Sequence, residues 1–295
     1  MAVGRVVLVA GVLILLFIPY LLWGTGLITA HSQALLRTEF AIAQGRSGAP
    51  VSTHLAAPPH GAPLTAHTAP TVADPAVGGP VGAIIIPKIG LSMIVVEGTG
   101  VPQLQAGPGH YPSTPLPGEA GNAAIAGHRT TYLHPFYNLN ELVPGDPITI
   151  ETVQGIFLYD VTSSMAVLPT DVAVVDPTPT PTLTLTTCNP RYSASQRLVV
   201  HAALVASVLA HPKAASPVAP PASRAQAVQT TPQHDWLAAI LWAVGVIVLT
   251  TAIWIGARRT RRGWRGLEIG IGVGVWLVVV FFFFQSVAPL LPASY

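Results

Sequence analysis

Within a chain of 295 residues, the stretch TLTLTTCNPRYSASQR (182–197) holds the single cysteine, Cys188. A lone thiol has no intramolecular disulfide partner, so in an exported protein it is either a crosslinking point or a reactive group. Side chains of a strand alternate between faces, so Leu183 and Leu185 share one face while Thr182, Thr184, Thr186 and Cys188 share the other. The leucines are expected to face a core, which leaves Cys188 at a strand end on the polar face, open to a substrate. A nucleophilic thiol needs a proton-transfer partner and a donor for the charge that develops on the substrate carbonyl. The donor is sought in Arg191 and Arg197, just behind the cysteine. Arg191 follows the turn-forming Asn189-Pro190 and is expected to project into solvent. Arg197 heads the next strand, and antiparallel pairing with the strand before it returns Arg197 beside Cys188, on the face of Val199 and His201.

Ten histidines are available as the partner. His31, His54, His60, His67, His211 and His234 fall in segments that read as juxtamembrane or spacer. His110 and His134 lie in loops, and His201 lies mid-strand as a structural residue. His128 follows a strand and a glycine in AIAGHRTTY, a position from which loop residues project into a site. No histidine pair has the spacing of a helical metal motif, so no metal and no cofactor is expected. A second cysteine to resolve a disulfide is missing, which argues against thiol redox chemistry.

The elements that must position these groups lie in a membrane-protein sequence. Apolar residues make up 51% of the chain and charged ones 9%, with a mean hydropathy of +0.55, values foreign to a soluble globule. Val6–Ala30 runs 25 residues without a charge, long enough to cross a bilayer as a helix. Trp236–Ala257 and Ile269–Leu291 are two further candidate spans. Between the latter lies RRTRRGWR, with Arg258, Arg259, Arg261, Arg262 and Arg265. The positive-inside rule makes that loop cytoplasmic and places residues 31–235 outside. The net charge of +2 gives no reason to read the loop as a nucleic-acid patch. The expected organisation is an N-terminal anchor (1–30), an extracellular juxtamembrane and Pro/Ala-rich spacer (31–80), a catalytic domain (81–210), a second spacer (211–235), a helix (236–257), a cytoplasmic loop (258–268) and a last helix (269–291).

Residues 81–210 carry eight short β-branched runs separated by Gly, Pro and Asp, at 82–89, 91–98, 122–128, 147–152, 155–161, 164–168, 182–187 and 197–205. NLNEL (138–142) is the candidate helical turn. This pattern predicts an all-β domain, a closed barrel or a sandwich.

TLTTC (184–188), AGHRT (126–130) and the arginine heading RLVVHA (197–202) together resemble the sortases, the cysteine transpeptidases of Gram-positive surfaces. GAIIIPKIGLSMIVVEGTG and LVPGDPITI are similar to sortase strands as well, and the likeness covers about residues 81–208. It implies an eight-stranded sortase-type barrel with its groove beside strands four, seven and eight; the one N-terminal and two C-terminal transmembrane helices are the reading of the apolar runs, and the C-terminal pair departs from the family's usual pattern. It further implies Cys188 as nucleophile, His128 as acid and base, Arg197 at the oxyanion, and Tyr132, Thr186 and Thr187 at the substrate. The implied reaction cleaves a C-terminal sorting signal, Leu-Pro-x-Thr-Gly or Leu-Ala-x-Thr-Gly, between Thr and Gly through a thioester. The implied partners are surface proteins bearing that signal, a peptidoglycan-precursor amine or a pilin lysine, and membrane lipid. GHRTTYLHPFYNLNEL with LTTCNP most resembles the class E group of actinobacteria, in which a tyrosine near the histidine goes with alanine after the leucine. The alternatives are a pilin-polymerising class C-like enzyme, whose lid would have to come from Asp74-Pro75, and a cysteine peptidase or a signal-binding module on the same fold.

Overall fold

The computed structural model describes residues 2–45, 66–209, 236–259 and 265–288. Contacts divide the chain into two units, one from the terminal segments Met1–Gly24 and Thr231–Ala293, the other from Thr25–Thr230. In the first unit, helix α1 (Ala2–Pro19) runs into a π-helical turn, Tyr20–Gly24. Helices α4 (Trp236–Arg259) and α5 (Arg265–Val287) complete it. α4 and α5 each carry an 18-residue window of mean hydropathy 2.3 and 2.1, long and apolar enough to cross a membrane. Tyr20, Val246, Val280 and Phe284 are buried together, and Trp276 Nε1 donates to Thr250 Oγ1 at 2.8 Å.

The second unit is a closed barrel of eight strands. They are β1 (Pro80–Ile86), β2 (Leu91–Glu97), β3 (Gly109–His110), β4 (Asn122–Ala126), β5 (Pro147–Thr152), β6 (Gly155–Val167), β7 (Thr182–Asn189) and β8 (Gln196–Leu209). Around the barrel the order is β1-β2-β3-β4-β7-β8-β6-β5, which leaves no free edge to recruit another chain. β4 and β7 are parallel, so their C-terminal ends meet at one end of the barrel. Alternate residues fill the interior: Ile84, Ile86, Val95, Ile125, Ile148, Ile150, Phe157, Leu183, Leu185 and Val200 are buried in one cluster.

The strand count matches the sequence reading through two compensating differences. The runs at 155–161 and 164–168 are a single strand, β6, which follows β8 through two register irregularities. β3, only two residues long, was not visible as a run, yet it bridges β2 and β4. NLNEL forms a 3-10 turn at Leu139–Glu141.

Helix α2 (Thr25–Ala43) runs across the expected boundary at residue 30 and into the start of the segment expected as juxtamembrane and spacer, 31–80. It packs on the barrel by burying Leu36 and Phe40 against Ala83, Ile94 and Val96. The Gln33 amide accepts from Ile94 N–H at 2.7 Å and donates to Ile94 O and Ala106 O at 2.9 and 3.0 Å, and Arg37 donates to Ser92 O. Residues 66–79 also lie along the barrel: Ala69 N–H donates to Gly118 O, Val72 N–H to the Glu119 carboxylate, and the His67 backbone pairs with Ser207 Oγ. The rest of that spacer, 46–65, the second spacer, 211–235, and the centre of the arginine-rich loop, 260–264, lie outside the described residues.

Candidate active site

β7 ends in Cys188, which is partly buried. The antiparallel β7–β8 ladder sets Cys188 directly opposite Arg197, with Thr187 opposite Leu198 and Thr186 opposite Val199. The predicted return of Arg197 is thus the observed register. Arg197 Nη1 makes long bonds, both 3.3 Å, to Ala194 O and Gln196 O at the start of the strand. Burial pushes the Cys188 thiol up, and the positive charges of Arg197 and Arg129 pull the other way. The two arginines stabilise the thiolate that burial alone disfavours.

His128 enters from the parallel neighbour. Gly127 extends β4 by one step, its N–H donating to Thr186 O, and a side chain there would overlap the buried Phe136 ring. Phe136 N–H returns to His128 O at 3.1 Å and closes the loop that follows. Inside that loop Tyr132, Leu133 and His134 all have left-handed φ, 53°, 59° and 38°, an unusual run for residues with a Cβ. The Tyr132 ring lies 4.9 Å from the His128 ring. Burial lowers the His128 pKa to about 4, so the imidazole is neutral at pH 7.

Thr186 and Thr187, expected at the substrate, are engaged within the barrel. They are 5% and 3% exposed; Thr186 Oγ1 meets the Tyr111 hydroxyl at 3.1 Å and Thr187 Oγ1 donates to Gly127 O at 2.7 Å. Both hydroxyls hold the β7 end against its neighbours. Arg191, expected to project into solvent, is corrected. It is partly buried, its guanidinium 4.1 Å from the Tyr137 ring centroid, and it donates to Asn138 Oδ1 and Asn140 Oδ1 at 3.1 and 3.3 Å. A planar cation over an aromatic face gains from both stacking and charge. His201, as expected, is a strand residue, bonded through Nδ1 to Thr184 Oγ1 at 2.9 Å.

Sequence reasoning missed Arg129. It is 6% exposed and its Nη1 donates to Cys188 O at 2.9 Å and Asn189 Oδ1 at 2.7 Å, while Nη2 donates to Asn140 Oδ1 at 2.8 Å. Arg129 therefore ties the loop of His128 to the strand end of Cys188. The signal was present in GHRT, a cation next to the candidate histidine, but its partners at Cys188 and Asn189 lie 59 and 60 residues away in sequence. His110, read as a loop residue, is fully buried, with Nδ1 2.8 Å from the Glu97 carboxylate and Nε2 3.0 Å from Pro115 O. Among the described residues no cluster of three or more His, Cys, Asp or Glu could hold a metal ion.

The closed eight-stranded barrel thus presents a cysteine, an arginine in register with it, and a histidine that follows the adjoining parallel strand. The sortase domain family matches residues 84–205. Sortase SrtE1 of Streptomyces coelicolor is 31% identical over 220 residues, covering 69% of this chain and 56% of that one. Sortase SrtE2 of the same organism is 29% identical, covering 68% of this chain and 80% of that one. Among solved structures, sortase E of Streptomyces avermitilis is 37% identical, covering 46% of this chain and 97% of that one, with a TM-score of 0.42. The chain spans only about half the length of several curated relatives it matches, 56%, 50% and 54% of the first three. The chain belongs to the sortase family, and it is class E-like.

Proposed function

We propose that the protein is a membrane-anchored class E-type transpeptidase that attaches surface proteins to a cell-wall amine. Its substrate class is a C-terminal sorting signal, Leu-Ala-x-Thr-Gly or Leu-Pro-x-Thr-Gly. The helices α1, α4 and α5 anchor it as a multi-pass protein with the barrel outside the cell. In the reaction, Cys188 Sγ passes its proton to His128 and attacks the Thr carbonyl carbon. Arg197 stabilises the oxyanion of the tetrahedral intermediate, an interaction worth about 10²–10³ in rate at comparable sites. The C–N bond breaks as the His128 imidazolium protonates the departing glycine amine, leaving a thioester. An incoming amine gives its proton to His128, attacks the thioester carbon and releases the Cys188 thiolate, which recovers that proton.

The observation that carries this reading is the register of Cys188 opposite Arg197 at the barrel end where β4 delivers His128. A class C-like lid would have to place Asp74-Pro75 over Cys188. The contacts of its neighbouring segment with Gly118, Glu119 and Ser207 favour the class E reading, since Ser207 lies far along β8 from Arg197. Intact-mass spectrometry of the detergent-solubilised chain mixed with signal peptides tests the proposal: an acyl adduct on Cys188 that an added amine discharges is expected. A chain that releases only free carboxylate with amine in excess is a peptidase, and one that binds peptide without an adduct is a binding module; either result overturns it.

A further inference from the structure

The loop after His128 is held from outside the barrel. Thr25, at the start of α2 and fully buried, accepts the Tyr132 N–H on its Oγ1 at 3.1 Å. One turn on, Thr29 Oγ1 donates to Gln105 O at 2.8 Å, at the end of helix α3 (Val101–Ala106). The Gln105 side chain then donates to the Tyr132 hydroxyl at 3.1 Å. Tyr132 is thus gripped at both ends, by its backbone from α2 and by its phenol from α3. At Gly26 a Cβ would come within 3.1 Å of Leu133, so α2 also packs closely on the next residue of the loop. These contacts fall on the first two of the three consecutive left-handed residues, Tyr132 and Leu133, a backbone state that persists only where the surroundings over-determine it.

We infer that α2 belongs to the active-site framework, with Thr25 and Gln105 acting as positioning residues that fix Tyr132 and, through it, the His128 ring and the pocket for the signal's second residue. α2 is attached to the barrel by more than this grip. The bidentate Gln33 amide and the Phe40 cluster hold its register, so the helix is a fixed strut from which Thr25 reaches the loop. The consequence is that catalytic competence depends on a segment outside the sortase domain proper, since the family match begins at residue 84. Positioning effects are steep, since misplacement of a catalytic group by about 1 Å costs on the order of 10²-fold in rate. The inference rests on the transpeptidase reading.

The test uses the full chain in detergent with Thr25→Val, Thr25→Ser and Gln105→Met, assayed on two peptides that differ only in Ala or Pro after Leu. Thr25→Val keeps the shape and loses the acceptor; its kcat is expected to fall about tenfold or more, with the ratio of kcat/KM between the two peptides moving toward one. Thr25→Ser restores the acceptor and is expected to recover both quantities. Gln105→Met is expected to act on the peptide ratio more than on kcat, because it frees only the phenol end. A Thr25→Val enzyme with wild-type kcat and wild-type peptide ratio overturns the inference. So does a Thr25→Val enzyme whose losses track its unfolded fraction in circular dichroism and are equal for both peptides. A wild-type chain that forms no acyl adduct at all instead overturns the transpeptidase reading, so the two failures are told apart.

Discussion

Replacing Arg129 by methionine removes a buried cation that bridges the strand of Cys188 and the loop of His128. Its three bonds, 2.7–2.9 Å long, are charge-assisted, a class worth about 1.5–3 kcal/mol each. Asn140 Oδ1 keeps a donor in Arg191, so the bonds lost outright are those to Cys188 O and Asn189 Oδ1. Losing two charge-assisted bonds costs roughly 3–6 kcal/mol. Relief from burying the charge offsets part of that, so a net loss of about 3 kcal/mol is expected. For a domain of this size that lowers Tm by roughly 6–12 °C. The same substitution removes a charge that holds the Cys188 pKa down, so the thiol must titrate at higher pH than in the wild type. The assay is thermal unfolding by circular dichroism, paired with the pH dependence of iodoacetamide alkylation. Arg129→Lys separates the effects: it keeps the charge but not the fork, so it should recover much of the alkylation profile and little of the Tm. An Arg129→Met chain with Tm within 2 °C of the wild type (well below the ~6 °C expected) and an unshifted alkylation profile would falsify the bridging role.

Two further outcomes are expected. His128 is held at about 4 and His201 is also lowered, both by burial; the unfolded chain therefore binds more protons than the fold between about pH 6.5 and 4. Stability is full above that window and is lost as pH falls through it, and His128→Asn should flatten the slope of Tm against pH; an unchanged slope means that the ring is solvated. In the same protein kcat/KM should stay level through neutral pH, with its acid limb near 4 rather than near 6.5. Arg197→Lys, which keeps the charge opposite Cys188, should lose about 10² or more in turnover. Arg191→Ala, whose bonds all go to Tyr137, Asn138 and Asn140, should cost stability and less than tenfold in turnover. Steady-state kinetics showing the reverse order would move the oxyanion role to Arg191.

Much of the site was legible because strands repeat with period two and because a turn returns the chain on itself. TLTLTTC places Leu183 and Leu185 in the core without any tertiary information, since alternate apolar residues must turn inward, and both are fully buried. Arg197 follows Cys188 across a short turn, so antiparallel pairing alone brings them together. Period two assigns a residue to a face, however, and does not say what covers that face. Thr184 and Thr186 lie on the polar side of β7, yet both are buried, bonded to Asn122 and His201 and to Tyr111.

Only the tertiary structure decided what the polar-looking segments do. α2 runs from the first apolar stretch into the segment read as juxtamembrane, but Gln33 pairs with the backbone of β2, and a glutamine's partners are set by whichever peptide groups the fold leaves open beside it. β3 is two residues long, too short for any periodic signal. Arg129 and Arg191 read alike as charges in loops. One is buried between Cys188, Asn189 and Asn140 and the other lies over a tyrosine, because the acceptors that choose between them come from segments far along the chain, and no local pattern encodes a distance that only folding creates.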